Sequence, residues 1–259
     1  MRSENPRPFD NLTRRTARSL VPRLLAVVFG LFLLGYLGLS AYAYLGSYSA
    51  DPEYLEAALS NPRVEVGEHQ THFALTPDSH DPRAPALVLY PGGLVAPEAY
   101  LYHVGATAER LQVQAFVIKP PFNAAIFSVG AARRIMDTHG LDRIWLGGHS
   151  LGGIAAARYA RSRPNDLEGL LLLASYSDVD LSGFEGRVIS IMGEDDGVID
   201  RENYERAKQN LPRGSLLLEI DGMNHSGFGK YGQQRGDGPG ELDGLEVVSL
   251  IVDSIEPGR

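Results

Sequence analysis

The stretch Gly147-Gly148-His149-Ser150-Leu151-Gly152-Gly153 decides the fold of this 259-residue chain. The apolar run Ile144-Trp145-Leu146 precedes it, and an alanine-rich segment typical of a helix follows it. A G-x-S-x-G sequence between a strand and a helix predicts a sharp turn that lifts the serine hydroxyl clear of the sheet. Glycines on both sides of the serine suit such a turn, because strand and helix backbones pass closely there. We therefore predict that Ser150 is a nucleophile, with the first N–H groups of the helix facing the charge that develops beside it.

Strand-like and helix-like segments alternate on both sides of this turn. Such alternation predicts one α/β domain with a doubly wound, mostly parallel sheet. The four leucines at 170–173 are typical of a strand that is buried on both faces. The predicted strands are 64–75, 86–90, 113–118, 143–146, 169–174, 188–192 and 215–220. The predicted helices are 97–111, 124–139, 151–161, 201–210 and 242–255.

A long uncharged segment lies near the N-terminus. Residues 24–45 contain no charged side chain and would span roughly 33 Å as a helix, enough for a hydrocarbon core of about 30 Å. Six arginines but only two acidic residues precede it, and acidic residues follow it. The positive-inside rule therefore predicts a cytoplasmic N-terminus at 1–23, a transmembrane signal anchor at 24–45, a juxtamembrane spacer at 46–63 and an extracytoplasmic domain at 64–259.

A cleaved signal peptide is the alternative interpretation of the same segment. Ala41-Tyr42-Ala43 resembles a cleavage site after an apolar stretch, and cleavage near Ala43 would release the domain. The long basic lead and the long apolar run favour the retained anchor. Both interpretations predict that the domain lies outside the cytoplasm.

Charge and cysteine content exclude several classes of partner. The chain carries 24 Lys and Arg against 32 Asp and Glu, and six of the basic residues precede residue 24. The part predicted to be exported is thus strongly acidic, so nucleic acid is not an expected partner. Because the chain has no cysteine, we expect no disulfide, no thiolate metal site and no thiol nucleophile.

A serine nucleophile needs a base, and the chain has seven histidines. His225 is the preferred base, because it lies in a loop after the predicted strand 215–220, where α/β folds place their sites. His149 adjoins the serine, but neighbours on a sharp turn point apart, so we expect it to pack under the turn. The other histidines lie around the first strand or on predicted helices: His69, His72, His80, His103 and His139.

The acid that orients the base is expected at the end of another strand, before His225. The strand 188–192 runs into Gly193-Glu194-Asp195-Asp196-Gly197, and Asp196 is preferred because Gly197 suits a tight turn. The less favoured carboxylates are its neighbour Asp195 and, after the preceding strand, Asp178 and Asp180. Nothing here resembles a calcium-binding loop, so we predict no metal site.

Two backbone N–H groups are expected to stabilise the oxyanion. One belongs to Leu151, the residue after the serine. The other comes from the loop Pro91-Gly92-Gly93-Leu94 after the strand 86–90, where both Gly93 and Leu94 are candidates.

Four sequence blocks resemble the alpha/beta hydrolase superfamily, and in particular its fold-5 type, the small members related to dienelactone hydrolase. The resemblance extends over roughly residues 64–255 and implies Ser150 as nucleophile, Asp196 as acid, His225 as base and no cofactor. Relatives often insert a lid where this chain has only the link 175–187, so an open site is expected. Asp195 departs from the usual pattern, which has a neutral residue there. The blocks are Tyr90-Pro91-Gly92-Gly93, Gly148-His149-Ser150-Leu151-Gly152-Gly153, Gly193-Glu194-Asp195-Asp196-Gly197 and Asn224-His225-Ser226-Gly227-Phe228-Gly229-Lys230-Tyr231-Gly232.

Residues and resemblance together predict a membrane-anchored extracytoplasmic serine hydrolase that acts by acyl transfer on a small ester-like substrate. Two alternatives stay open: a catalytically inactive binding module with the same fold, and an acyltransferase that passes the acyl group to an acceptor other than water. The glycine-rich loop 227–240 is expected to border the site.

Overall fold

The computed structural model describes the backbone of residues 9–256 and the side chains of residues 22–256, and the chain divides into two compact units, Met1–Gly46 and Ser47–Arg259. The described residues of the first unit form one helix, α1 (Phe9–Gly46). Its segment Pro22–Gly46 has a mean hydropathy of 2.3 and is long and apolar enough to cross a membrane. The basic lead predicted at 1–23 lies outside the residues whose side chains are described, except at its end.

The second unit is built on an eight-stranded sheet, which confirms the predicted mostly parallel α/β architecture. Its spatial order is β1-β2-β4-β3-β5-β6-β7-β8. β1 and β2 are antiparallel to their neighbours, and the six strands from β4 to β8 are parallel. The strands are β1 (Val64–Glu68), β2 (His72–Pro77), β3 (Ala86–Tyr90), β4 (Ala115–Ile118), β5 (Ile144–His149), β6 (Leu167–Leu173), β7 (Arg187–Gly193) and β8 (Leu216–Ile220).

Helices cover both faces of this sheet. Alternate residues of β6 enter two separate cores: Leu171 and Leu173 pack on the side of α3 and α7, whereas Leu170 and Leu172 pack on the side of α4 and α5. This division explains why the leucine run is apolar throughout. The helices of this unit are α2 (Pro52–Leu59), α3 (Leu101–Leu111), α4 (Ala131–His139), α5 (Leu151–Ser162), α6 (Arg201–Ala207) and α7 (Gly244–Ile255).

Several predicted elements differ from those observed in their bounds, and two of these differences are informative. The run 64–75 is not one strand but the hairpin of β1 and β2, which pairs Val64 with Pro77 and Glu68 with Phe73. The helix predicted from residue 124 begins only at 131, because the backbone of Ala124 is extended and Ala125–Ser128 form a 3₁₀ turn. A polar turn at 69–71 divides the predicted strand, and the 3₁₀ turn replaces the first part of the predicted helix.

The segment expected to be a spacer packs on the domain. The N–H of Tyr48 donates to the carbonyl of Leu94 at 2.8 Å, and the N–H of Ala96 donates back to the carbonyl of Tyr48 at 2.9 Å. The N–H of Asp51 donates to the carbonyl of Lys230 at 2.8 Å, immediately before α2. The compact unit thus begins at Ser47 and not at residue 64.

The parallel strands bring four connecting segments to one edge of the sheet. β3, β5, β7 and β8 all end at this edge, so the loops and the helix start that follow them become neighbours. Residues 174–186, between β6 and β7, contain no helix or strand that would cover this edge. The predicted nucleophile, acid, base and oxyanion donors all follow these strands.

Candidate active site

Ser150 lies on a strained turn between β5 and α5. Its φ of 52° and ψ of −122° are rare for a residue with a side chain. The N–H of Ser150 donates to the carbonyl of Leu173 at 2.9 Å, and the hydroxyl of Ser175 donates to the carbonyl of Ser150 at 2.7 Å. A Cβ at Gly152 would overlap the backbone carbonyl of Tyr90, so only glycine allows α5 to approach β3 this closely. Ser150 is therefore held in a fixed geometry at the start of a helix.

A buried ion-pair geometry joins Asp196 to His225. Asp196 follows β7 and His225 follows β8, and Oδ2 of Asp196 lies 2.8 Å from Nδ1 of His225. The other carboxylate oxygen accepts the N–H groups of Val198 and Ile199, both at 2.9 Å. Burial opposes ionisation of Asp196, but the His225 ring and these two N–H groups outweigh it and hold the pKa of Asp196 below its ordinary value.

The alternative carboxylates lie elsewhere. Asp195 is half-buried, and its N–H donates to the carbonyl of Met223 at 3.0 Å. Asp178 forms an ion pair with Arg158 at 2.5 Å. Asp180 accepts the N–H of Ser182 at 2.9 Å. Among the acids considered from the sequence, Asp196 is the one that the structure brings to His225.

Ser150 and His225 line the same cleft, which has a volume of about 280 Å³. Within the described part of the chain, Nε2 of His225 is buried and has no hydrogen-bond partner. No hydrogen bond joins it to the Ser150 hydroxyl, a contact that is often long before substrate binds. The remaining lining is largely apolar, and it consists of Leu151, Ile154, Ala174, Ser175, Tyr176, Val198, Ile199 and Asp200.

The two candidate oxyanion donors after β3 differ in whether the backbone N–H group already has an acceptor. The N–H of Leu94 donates to the carbonyl of Asn123 at 2.8 Å. Gly93 lies against Leu151, since a Cβ on Gly93 would be 3.0 Å from the Leu151 Cδ2 atom. For the N–H groups of Gly93 and Leu151 we find no acceptor among residues 9–256. The geometry therefore favours Gly93 over Leu94 as a donor beside Leu151.

A hydrogen-bond chain under the turn connects three of the sequence blocks. The N–H of Gly92 donates to the hydroxyl of Tyr100 at 2.9 Å, and this hydroxyl lies 2.8 Å from Nδ1 of His149. His149 Nε2 lies 3.0 Å from the carbonyl of His225, which only accepts, so Nε2 carries the proton and Tyr100 donates to Nδ1. Burial holds the pKa of His149 well below its ordinary value and keeps the ring neutral. His149 thus packs under the turn, as expected.

The sequence did not single out Tyr100, and it did not assign a role to Asp237 in the loop 227–240. Oδ1 of Asp237 accepts the N–H of His225 at 3.0 Å. Its Oδ2 accepts the N–H and the hydroxyl of Ser226, at 2.8 and 2.7 Å. Asp237 therefore fixes the backbone that carries His225. An acidic residue isolated among glycines was the only sequence signal of this role.

Comparison with known proteins identifies relatives of this architecture. The sequence model of the alpha/beta hydrolase family matches residues 86–246. No curated protein matches the sequence. A predicted CIB-like hydrolase from Thermoplasma acidophilum has a similar structure, with a TM-score of 0.59 at 15% identity, over 74% of this chain and 98% of that one. The carboxylesterase CesB from Bacillus subtilis gives 0.57 at 11% identity, over 86% and 100%. A bacterial membrane phospholipase A gives 0.53 at 15% identity, over 82% and 92%.

Proposed function

Since this chain belongs to the alpha/beta hydrolase family, we propose that it is a serine hydrolase that cleaves carboxylic esters by acyl transfer. The observation that carries the proposal is the buried contact of Asp196 with Nδ1 of His225, which leaves Nε2 unpartnered beside the cleft of Ser150. Fold alone would not support an activity, because members of one fold perform different functions.

The hydrogen bond to Asp196 determines which nitrogen of His225 acts as the base. With a proton on Nδ1, directed at the carboxylate, Nε2 holds a lone pair and accepts the hydroxyl proton of Ser150. The Ser150 oxygen then forms a bond to the ester carbonyl carbon. Asp196 stays ionised, orients the ring and stabilises the imidazolium that forms.

The negative charge that develops on the carbonyl oxygen is stabilised by the N–H groups of Leu151 and Gly93. Collapse of the tetrahedral intermediate breaks the bond to the alcohol oxygen, which takes the proton from His225 Nε2. Water then attacks the acyl-serine while His225 Nε2 accepts one of its protons. Collapse of this second tetrahedral intermediate breaks the bond to the Ser150 oxygen, which takes the proton back from His225, and the acid is released. The positive end of the α5 dipole stabilises both intermediates.

The dimensions of the cleft support a small ester as substrate. Its volume of about 280 Å³ lies at the lower end of the range for ligand pockets. Leu151, Ile154 and Tyr176 give it an apolar wall, which suits a short acyl or alcohol chain. The similar structures named as esterases support the same chemical class.

We also propose that α1 anchors the enzyme, with the N-terminus in the cytoplasm and the domain outside. Mass spectrometry of the mature chain in detergent tests this proposal. An intact N-terminus in the membrane fraction supports the anchor, whereas a soluble chain that begins near Ala43 overturns it.

Chain-length profiling of p-nitrophenyl esters tests the activity. We expect turnover to be highest with short acyl chains, and to be lost in Ser150→Ala and in His225→Ala. Asp196→Asn is expected to lower kcat by about 10⁴-fold, whereas its neighbour Asp195→Asn retains activity. Folded wild type without turnover of any ester would favour an inactive binding module, and product formation only with alcohol or amine acceptors would favour an acyltransferase.

A further inference from the structure

Three histidines that the proposed reaction does not use lie together at the edge of the sheet. His69 lies in the turn after β1, His72 begins β2 and His139 ends α4. One nitrogen of each ring lies within 4.8 Å of the others. The rings of His69 and His72 stack with centroids 4.5 Å apart, and the His139 ring stands nearly perpendicular to both. Residues from three parts of the chain thus bring one imidazole nitrogen each into a small region.

The spacing of these nitrogens is close to that of metal ligands. Nε2 of His72 lies 3.0 Å from Nε2 of His139. Two nitrogens that bind one tetrahedral Zn²⁺ at about 2.0–2.1 Å lie roughly 3.3 Å apart. His72 is buried and His139 is half-buried, so this pair is fixed by packing, whereas His69 is exposed and its side chain is free to close the remaining distance. A small rotation of one surface residue therefore completes a three-nitrogen site.

The surroundings of the cluster also suit a cation. Nδ1 of His72 lies 3.1 Å from the hydroxyl of Thr71, which orients the ring with Nε2 directed at His139. Two Nε2 atoms at 3.0 Å need one proton between them, and a metal ion would replace this proton. The nearby Lys119 ammonium forms an ion pair with Glu68 at 2.6 Å, which offsets its repulsion of a cation.

We propose that His69, His72 and His139 bind one divalent transition-metal ion, for which Zn²⁺ is the best candidate. Three imidazoles with a further position open to solvent are a typical Zn²⁺ environment. The ion would join β2 to the end of α4 and so stabilise the hairpin edge of the sheet. This proposal departs from the prediction of no metal site, which rested on the lack of cysteine and of any calcium-binding loop.

Isothermal titration calorimetry with Zn²⁺ tests the proposal on the full chain in detergent, without a histidine tag and after treatment with a chelator. We expect one Zn²⁺ per chain in the wild type. His69→Ala and His139→Ala should each lower the affinity by at least about tenfold. His80→Ala is the matched control, because His80 lies outside the cluster and bonds the carbonyl of Pro77. Circular dichroism verifies that each variant is folded.

Thermal unfolding gives a second readout, because an ion that binds only the folded state raises Tm. Zn²⁺ should raise the Tm of the wild type and of His80→Ala, and not that of His69→Ala. Wild type that takes up no Zn²⁺ at micromolar concentrations overturns the proposal, as does an affinity for Zn²⁺ in His69→Ala and His139→Ala that equals that of the wild type. Ester turnover by Ser150 is measured separately, so failure of one proposal does not bear on the other.

Discussion

The hydroxyl of Tyr100 makes two buried hydrogen bonds that hold the loop 91–94 to the turn at Ser150. Tyr100→Phe removes this hydroxyl and leaves the Gly92 N–H and the His149 Nδ1 atom without their partners. Each buried polar group that loses its partner costs about 1–3 kcal/mol. The free energy of unfolding should therefore fall by roughly 2–6 kcal/mol, which corresponds to a decrease in Tm of roughly 4–24 °C for a domain of this size.

Activity should fall along with stability, because the same chain of hydrogen bonds ends on the carbonyl of His225. Displacement of Gly93 or of the His225 ring by a fraction of an ångström is expected to lower kcat about 10–100-fold. KM should change much less, since Tyr100 is buried and does not line the cleft. Initial rates of ester hydrolysis give kcat and KM, and thermal unfolding gives Tm. Both are measured on the full chain in detergent.

Tyr102→Phe is the matched control, because Tyr102 lies in the first turn of α3, two residues after Tyr100. Its ring packs on Tyr54, and its hydroxyl makes no hydrogen bond within the described residues. We expect this variant to resemble the wild type in both Tm and kcat. A Tyr100→Phe variant that is indistinguishable from Tyr102→Phe would refute the reasoning, because the buried chain would then contribute neither to stability nor to positioning.

Three further results are expected. Asp237→Ala should lower kcat at least about tenfold with little change in KM, because it releases the backbone of His225 without touching the cleft; unchanged kinetics would exclude this positioning role. Gly152→Ala should unfold the domain, since its Cβ would overlap the carbonyl that ends β3, whereas Gly214→Ala, with open space around it, should retain the wild-type Tm. Because the pKa of Asp196 is below its ordinary value in the folded state, its stabilising effect is present at neutral pH and is lost as the pH falls below about 4; urea unfolding at about pH 6 and pH 3 should show a larger loss in wild type than in Asp196→Asn.

The sequence predicted the elements whose signals are local. β3 has the predicted bounds, because an apolar run with proline and glycine after it permits no longer strand. The turn at Ser150 was predictable for a similar reason, since its glycines are required by contacts of neighbouring backbone. The hairpin of β1 and β2 was missed, because the polar turn at 69–71 that separates the two strands lies within an apparently continuous run.

The candidate site residues could be predicted only where their order along the chain, relative to the strands, indicates where they lie. Ser150, Asp196 and His225 follow β5, β7 and β8, so their order along the chain indicated the roles proposed for them. Tyr100 contacts His149 across 49 positions, which no local pattern reports. The histidine cluster was missed for the same reason, because His72 and His139 are 67 positions apart along the chain. Contacts between separate elements depend on how those elements pack, and the sequence of any single segment does not predict this packing.

Labelling with a fluorophosphonate probe tests the central claim most directly, because the probe forms a covalent bond only with an activated serine. Folded wild type should gain the mass of one adduct, and peptide mapping should locate it on Ser150. Ser150→Ala should gain none, and His225→Ala should react far more slowly. Folded wild type that stays unlabelled, or an adduct that persists in Ser150→Ala, would contradict the account.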